Sequence, residues 1–112
     1  MKKEYRLKRN EDFKKIIKKR ISVGSKNFVI YGMKNEFSHL RVGISVSKKL
    51  GKAVIRNKIK RQVRMMAKDE FQFNQNYDII IIVRNNYLNS SYKENKKDLS
   101  YLYRKILKRM DK

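Results

Sequence analysis

The sequence predicts an α+β domain in which a single mixed sheet of about four strands packs with three helices, in the order α-β-β-β-α-β-α. Three patterns carry this expectation. Apolar residues recur at helical spacing from Ala53 to Lys68 and again from Ser91 to Met110, residues 40–47 alternate strictly, and residues 79–83 form an unbroken aliphatic run. The length of 112 residues suits one domain and one modest core. There is no internal repeat and no proline.

In chain order, residues 1–9 read as a basic, mobile arm whose anchors are Tyr5 and Leu7. Asn10 then offers an N-cap, with Glu11 and Asp12 favoured in the first turn by the helix dipole. Phe13, Ile16 and Ile17 form the apolar face of this first helix, which is expected to end near Lys19. Ser22 to Gly24 fits a short extended piece or a turn equally well. Asn27 to Met33 reads as a strand with Phe28 and Ile30 on one face and Val29, Tyr31 and Met33 on the other. After a polar connection, Leu40, Val42, Ile44 and Val46 alternate with Arg41, Gly43, Ser45 and Ser47. That is a half-buried strand with small residues on its second face.

Gly51 breaks the chain before the second helix, and residues 72–76 form the loop after it. The strand Tyr77 to Val83 lacks alternation, so it is expected to be buried on both faces and central in the sheet. Residues 84–90 read as a loop. Ser91 and Glu94 have capping-box spacing, and the last helix places Leu99, Leu102, Tyr103, Ile106, Leu107 and Met110 on one stripe. The segment from strand 40–47 through the helix to strand 77–83 has the form of a β-α-β unit, for which a right-handed crossover is the general rule.

The stretch Lys48 to Lys68 holds nine basic residues and no acid. At 100° per residue, Ile55, Ile59, Val63 and Met66 form an apolar stripe, while Arg56, Lys60, Arg64 and Lys68 follow one another at i, i+4 on the next arc. Asn57 and Arg61 lie beside this rail, and Lys58 lies apart from it. From Arg56 to Lys68 the rail spans about 18 Å, enough to meet several phosphates. Like charges at i, i+4 oppose helix formation by about 0.2–0.5 kcal/mol per pair, and solvated faces usually mix signs. The rail therefore points to an anionic partner.

A formal net charge of +21 favours nucleic acid over an anionic membrane surface. No cysteine is present, which excludes disulfide frameworks and thiolate metal sites. The N-terminus has no apolar core of a signal peptide, and no run approaches the length of a membrane span, so a cytoplasmic protein is expected.

No constellation of residues suits protein catalysis. His39 is the lone histidine and sits before a strand, and the acidic pairs Glu11-Asp12 and Asp69-Glu70 point about 100° apart on a helix, so neither forms a metal pair. The Gly51-Lys52 pair lacks the second glycine and the Ser or Thr of a P-loop. Phe13 and Tyr31, beside Gly43, Ser45 and Ser47, are either core residues or platforms for nucleobases in an open groove.

On the residues LKRNEDF from Leu7 to Phe13, NFVIY from Asn27 to Tyr31, and RVGISVSKKLGKAVIRNKIKRQVR from Arg41 to Arg64, the chain resembles the protein subunit of bacterial ribonuclease P. The aliphatic strand and the final helix follow in the family's order, so the likeness covers nearly the whole chain. The resemblance implies a left-handed β-α-β crossover, against the general rule. It also implies a single RNA-binding domain, monomeric, whose partners are a catalytic RNA and the single-stranded 5′ leader of precursor tRNA. Hydrolysis would then depend on Mg²⁺ held mainly by RNA, with no catalytic residue and no tight metal site in the protein. Arg56, Asn57, Lys60, Arg61 and Arg64 match the family's RNA-contacting motif, and Lys58 and Lys68 extend it. Phe13 and Tyr31 match the family's cleft aromatics and Ile17 a further cleft position, the small residues Ser45 and Ser47 beside them are placed in the same leader cleft, and Lys48 and Lys49 match basic positions at its edge. The family's Arg-Asn-Arg is here Arg56-Asn57-Lys58, which keeps the charge and loses a planar fork. Ile17 stands where the family often has an aromatic, which removes one stacking platform. A non-catalytic, ribosomal-type RNA-binding protein would use a similar basic helix.

Overall fold

A computed structural model describes residues 2–111. Its elements are α1 (Asn10–Lys18), β1 (Ser22–Gly24), β2 (Phe28–Lys34), β3 (Arg41–Val46), α2 (Ala53–Glu70), β4 (Tyr77–Val83) and α3 (Tyr92–Met110), with short 3-10 turns at Lys3–Tyr5, Lys48–Leu50 and Asn85–Asn89. The sheet order is β1-β2-β4-β3, with β2 antiparallel and β3 parallel to β4. The isoleucine strand is thus central, as its lack of alternation requires. Ile79, Ile80 and Ile81 have no exposed surface, each burial being worth roughly 1.5–3 kcal/mol.

Register sorts the sheet's side chains into two layers. Val23, Phe28, Ile30, Val42, Val46, Ile79, Ile81 and Val83 join Ile59, Val63, Met66 and Ala67 of α2 and Leu99, Leu102, Tyr103 and Ile106 of α3 in the main core. The opposite layer holds a much smaller cluster, in which Leu7, Ile16 and Ile80 are buried and Phe13, Tyr31, Met33 and Ile82 pack around them. The domain therefore has a thick side beneath two helices and a thin side beneath α1 alone.

Several local expectations change. Asn10 is the first helical residue, and Arg9 occupies the cap position without a side-chain cap bond. The reason lies in the preceding backbone: Leu7 N–H bonds Val42 C=O at 2.9 Å, which holds this segment extended until Phe13 N–H returns to Arg9 C=O. Tyr5 and Leu7 are the anchors that the sequence names: the Tyr5 ring packs on Phe73 and His39, and Arg6 and Leu7 pair with Val42 of β3, so the expected mobile arm is held from Tyr5 to Leu7. Ser22–Gly24 resolves as an edge strand paired with β2. Ile55 leaves the core stripe and is 43% exposed. It covers Gly51, whose φ of +139° would strain any other residue and where a Cβ would stand a tight 3.1 Å from the Ile55 side chain. The loop after β4 contains a 3-10 turn that buries Tyr87. By contrast, the Ser91–Glu94 capping box forms as expected, with bonds of 3.1 and 2.9 Å.

Candidate nucleic-acid interface

The apolar stripe of α2 fixes the orientation of its charges. Because Ile59, Val63, Met66 and Ala67 face the core, Arg56, Lys60 and Arg64 lie half-buried along the helix flank, with Asn57, Lys58, Arg61 and Lys68 exposed. Arg56 donates from Nε to the Gly51 carbonyl at 3.2 Å, which ties the rail to the turn before the helix. Lys60 and Arg64 line a hole of about 110 Å³ together with Arg6, Leu7, Lys8, Val42 and Ile44. Among the described residues, no acid forms an ion pair with any of these four cations. Lys58 points away from the hole, on the outer face with Val54 and Met65.

At the C-terminal end of β3 the chain enters the Lys48–Leu50 turn, where Ser47 Oγ accepts from Lys49 N–H at 3.2 Å. Ser47 is therefore a cap as well as a surface residue. Lys48 and Lys49 stand exposed just past Ser45. Ser45 itself pairs in register with Ile82, which pairs with Val29, so these three side chains form one row across the thin face of the sheet. Ser45 is exposed, and Val29 and Ile82 are only half-buried.

The row behind it is Gly43, Ile80 and Tyr31, with Ser22 beyond. Here α1 crosses the sheet, and Phe13 presses on Gly43 so closely that its ring occupies the place of a Cβ. Phe13 and Ile17, four residues apart, share the helix side toward the uncovered row, and Ile17 is 38% exposed. Phe13, Tyr31 and Ser45 thus border one strip of the thin face, Ile17 lies exposed one helical turn from Phe13, and a basic turn follows exposed Ser47 at the end of β3. Val29 and Ile82 complete the floor, although the sequence marks them only as apolar strand residues. Register across three strands identifies them.

On the other side of α1, Asp78 is the second residue of β4 and has only 1% exposure. Arg41 holds it through two bonds of 2.7 and 2.8 Å, and Asn35 donates to it at 2.8 Å. The Asp78 carboxylate and, at longer range, Asp12 raise the Arg41 guanidinium above its ordinary value. The guanidinium also lies 4.5 Å from the centre of the Phe37 ring. A lone carboxylate before five apolar residues was the available clue to this network.

A family model described as Ribonuclease P matches residues 1–107. The chain belongs to the ribonuclease P protein family. The ribonuclease P protein component of Mesoplasma florum is 46% identical over 110 residues, covering 96% of this chain and all of that one. That of Bacillus velezensis is 44% identical, covering 94% and 91%. A solved structure of the Staphylococcus aureus RNase P protein superposes with a TM-score of 0.80 at 43% identity, covering 88% and 91%. As a ribonuclease P protein, the chain is the accessory subunit of the enzyme that processes tRNA, and the family implies an RNA subunit as its partner.

Proposed function

We propose that the flank of α2, with Lys48 and Lys49, binds the catalytic RNA, while the strip between α1 and the sheet receives the single-stranded 5′ leader of precursor tRNA. The observation that supports this most directly is the uncovered row Val29–Ile82–Ser45, flanked by Phe13 and Ile17 and closed by a basic turn. A flat apolar floor beside the Phe13 and Tyr31 rings suits stacked bases, and exposed lysines suit the phosphates that link them. Arg56, Lys60, Arg61 and Arg64 supply the sequence-independent attraction for RNA backbone. Lys58 and Lys68 extend that field on the solvent side. With Ile17 in place of a ring, stacking rests on Phe13 and Tyr31, and the backbone contacts carry more of the affinity.

Among the described residues, no three His, Cys, Asp or Glu side chains are placed to hold a metal ion. The Mg²⁺ on which hydrolysis depends is proposed to be held mainly by RNA. No described helix is long and apolar enough to cross a membrane. A cytoplasmic monomer, acting only in complex with RNA, is the state proposed. The test is cleavage of precursor tRNA by the catalytic RNA at low Mg²⁺. Added protein is expected to increase cleavage, and no increase at any protein concentration would overturn the assignment.

A further inference from the structure

The thin face of the sheet carries a second groove, on the far side of α1 from the leader cleft. It has a volume of about 820 Å³ and is lined by Lys15 and Lys19 of α1, Met33 and Lys34 of β2, and Glu36, Phe37 and Arg41, so that its cations outnumber its one exposed carboxylate. Among the described residues, Lys15, Lys19 and Lys34 make no ion pair, while Arg41 is held by Asp78. Phe37 is 48% exposed, with Arg41 against one side of its ring. The turn that displays it is fastened from beneath: Phe37 N–H donates to Asn35 Oδ1 at 2.9 Å, and Asn35 Nδ2 donates to buried Asp78 at 2.8 Å. A buried carboxylate thus holds an aromatic ring out toward solvent, next to three unpaired lysines.

We infer that this groove binds single-stranded RNA, and that its occupant is the upstream part of a long leader leaving the cleft. The inference rests on the proposed placement of the leader. The two sites share a floor, because Val29, Tyr31 and Met33 project from the same face of β2 at successive alternate positions, the first two on the cleft side and Met33 in the groove. The C-terminal end of α1, with Lys18, Lys19 and Arg20 exposed, lies between them. Because α1 covers the sheet between the two sites, the path for one anionic chain runs around the end of α1 over these cations, with Phe37 as a stacking platform at its far end.

The experiment measures binding of two precursor tRNAs to the holoenzyme reconstituted with catalytic RNA, one with a leader of about 4 nucleotides and one of about 16, the range of single-strand site sizes. Phe37→Ala is expected to weaken binding of the long-leader precursor about fivefold or more and to leave the short-leader precursor unchanged. The double variant Lys15→Ala/Lys19→Ala, which alters only exposed side chains, is expected to do the same. Lys97→Ala on the outer surface of α3 controls for charge and is expected to change neither. Equal losses on both precursors, or no loss on either, would overturn the groove. If unaltered protein fails to tighten the short-leader precursor at all, the placement of the leader in the cleft fails first.

Discussion

Arg64 stands half-buried on α2, facing Arg6, Lys8 and Lys60 across a hole the size of a few atoms. Four like charges around one hole repel one another, so each gains most when a phosphate neutralises them together. Arg64→Ala should weaken binding to the catalytic RNA and flatten its log–log salt dependence by about one unit or less. An unchanged slope, measured by titration at several salt concentrations, would remove Arg64 from the phosphate contacts. The i, i+4 spacing of Arg56, Lys60 and Arg64 made the rail legible in the sequence. Arg6 and Lys8 were not legible as its neighbours. Their position depends on a backbone bond from Leu7 to Val42, some 35 residues away, which no local pattern encodes. Ile55 shows the same limit, because helical periodicity places it on the apolar arc while the turn at Gly51 draws it out to the surface.

Among the elements, those with strong periodicity or end signals were readable. The central position of β4 follows from five consecutive apolar residues, and the start of α3 from Ser91 and Glu94. Removing the Ser91 hydroxyl leaves the Glu94 N–H without its partner at the helix end, where nothing else is bonded to it. Ser91→Ala should therefore destabilise the domain by about 1 kcal/mol and lower Tm by roughly 4 °C, read by thermal melting with RNA absent. A variant that melts with the wild type would show that water replaces the cap without loss. Weakly marked elements were harder to read. β1 is three residues long and exists because β2 presents an edge to it, and Asn10 had the right chemistry for a cap but entered the helix because the chain before it is pinned.

For the whole molecule the dominant quantity is charge: 31 basic against 10 acidic residues on one small domain. Self-repulsion of this size opposes compaction, and an anion that binds only the folded state offsets it. Sulfate should raise Tm above that in chloride at equal ionic strength, and identical melting in the two salts would contradict folded-state binding. The α+β class and the order of elements were readable because each element buries its own periodic face. The placement of α1 alone on one side of the sheet was not, since Phe13 and Ile16 have the same pattern whichever face they cover.

The difference in thickness between the two sides also divides the molecule's cohesion. Beneath α1 the buried set is Leu7, Ile16 and Ile80, whereas α2 belongs to the main core with the sheet and α3. Local opening follows the smaller set, because the free energy of a sub-global fluctuation scales with the contacts it breaks. The α1 side is consequently the more adjustable part, and in the proposed arrangement it would lift or tighten around different bases while the rail keeps its geometry. The proposed docking on one RNA and accommodation of another would then fall to separate cooperative units of a single short chain.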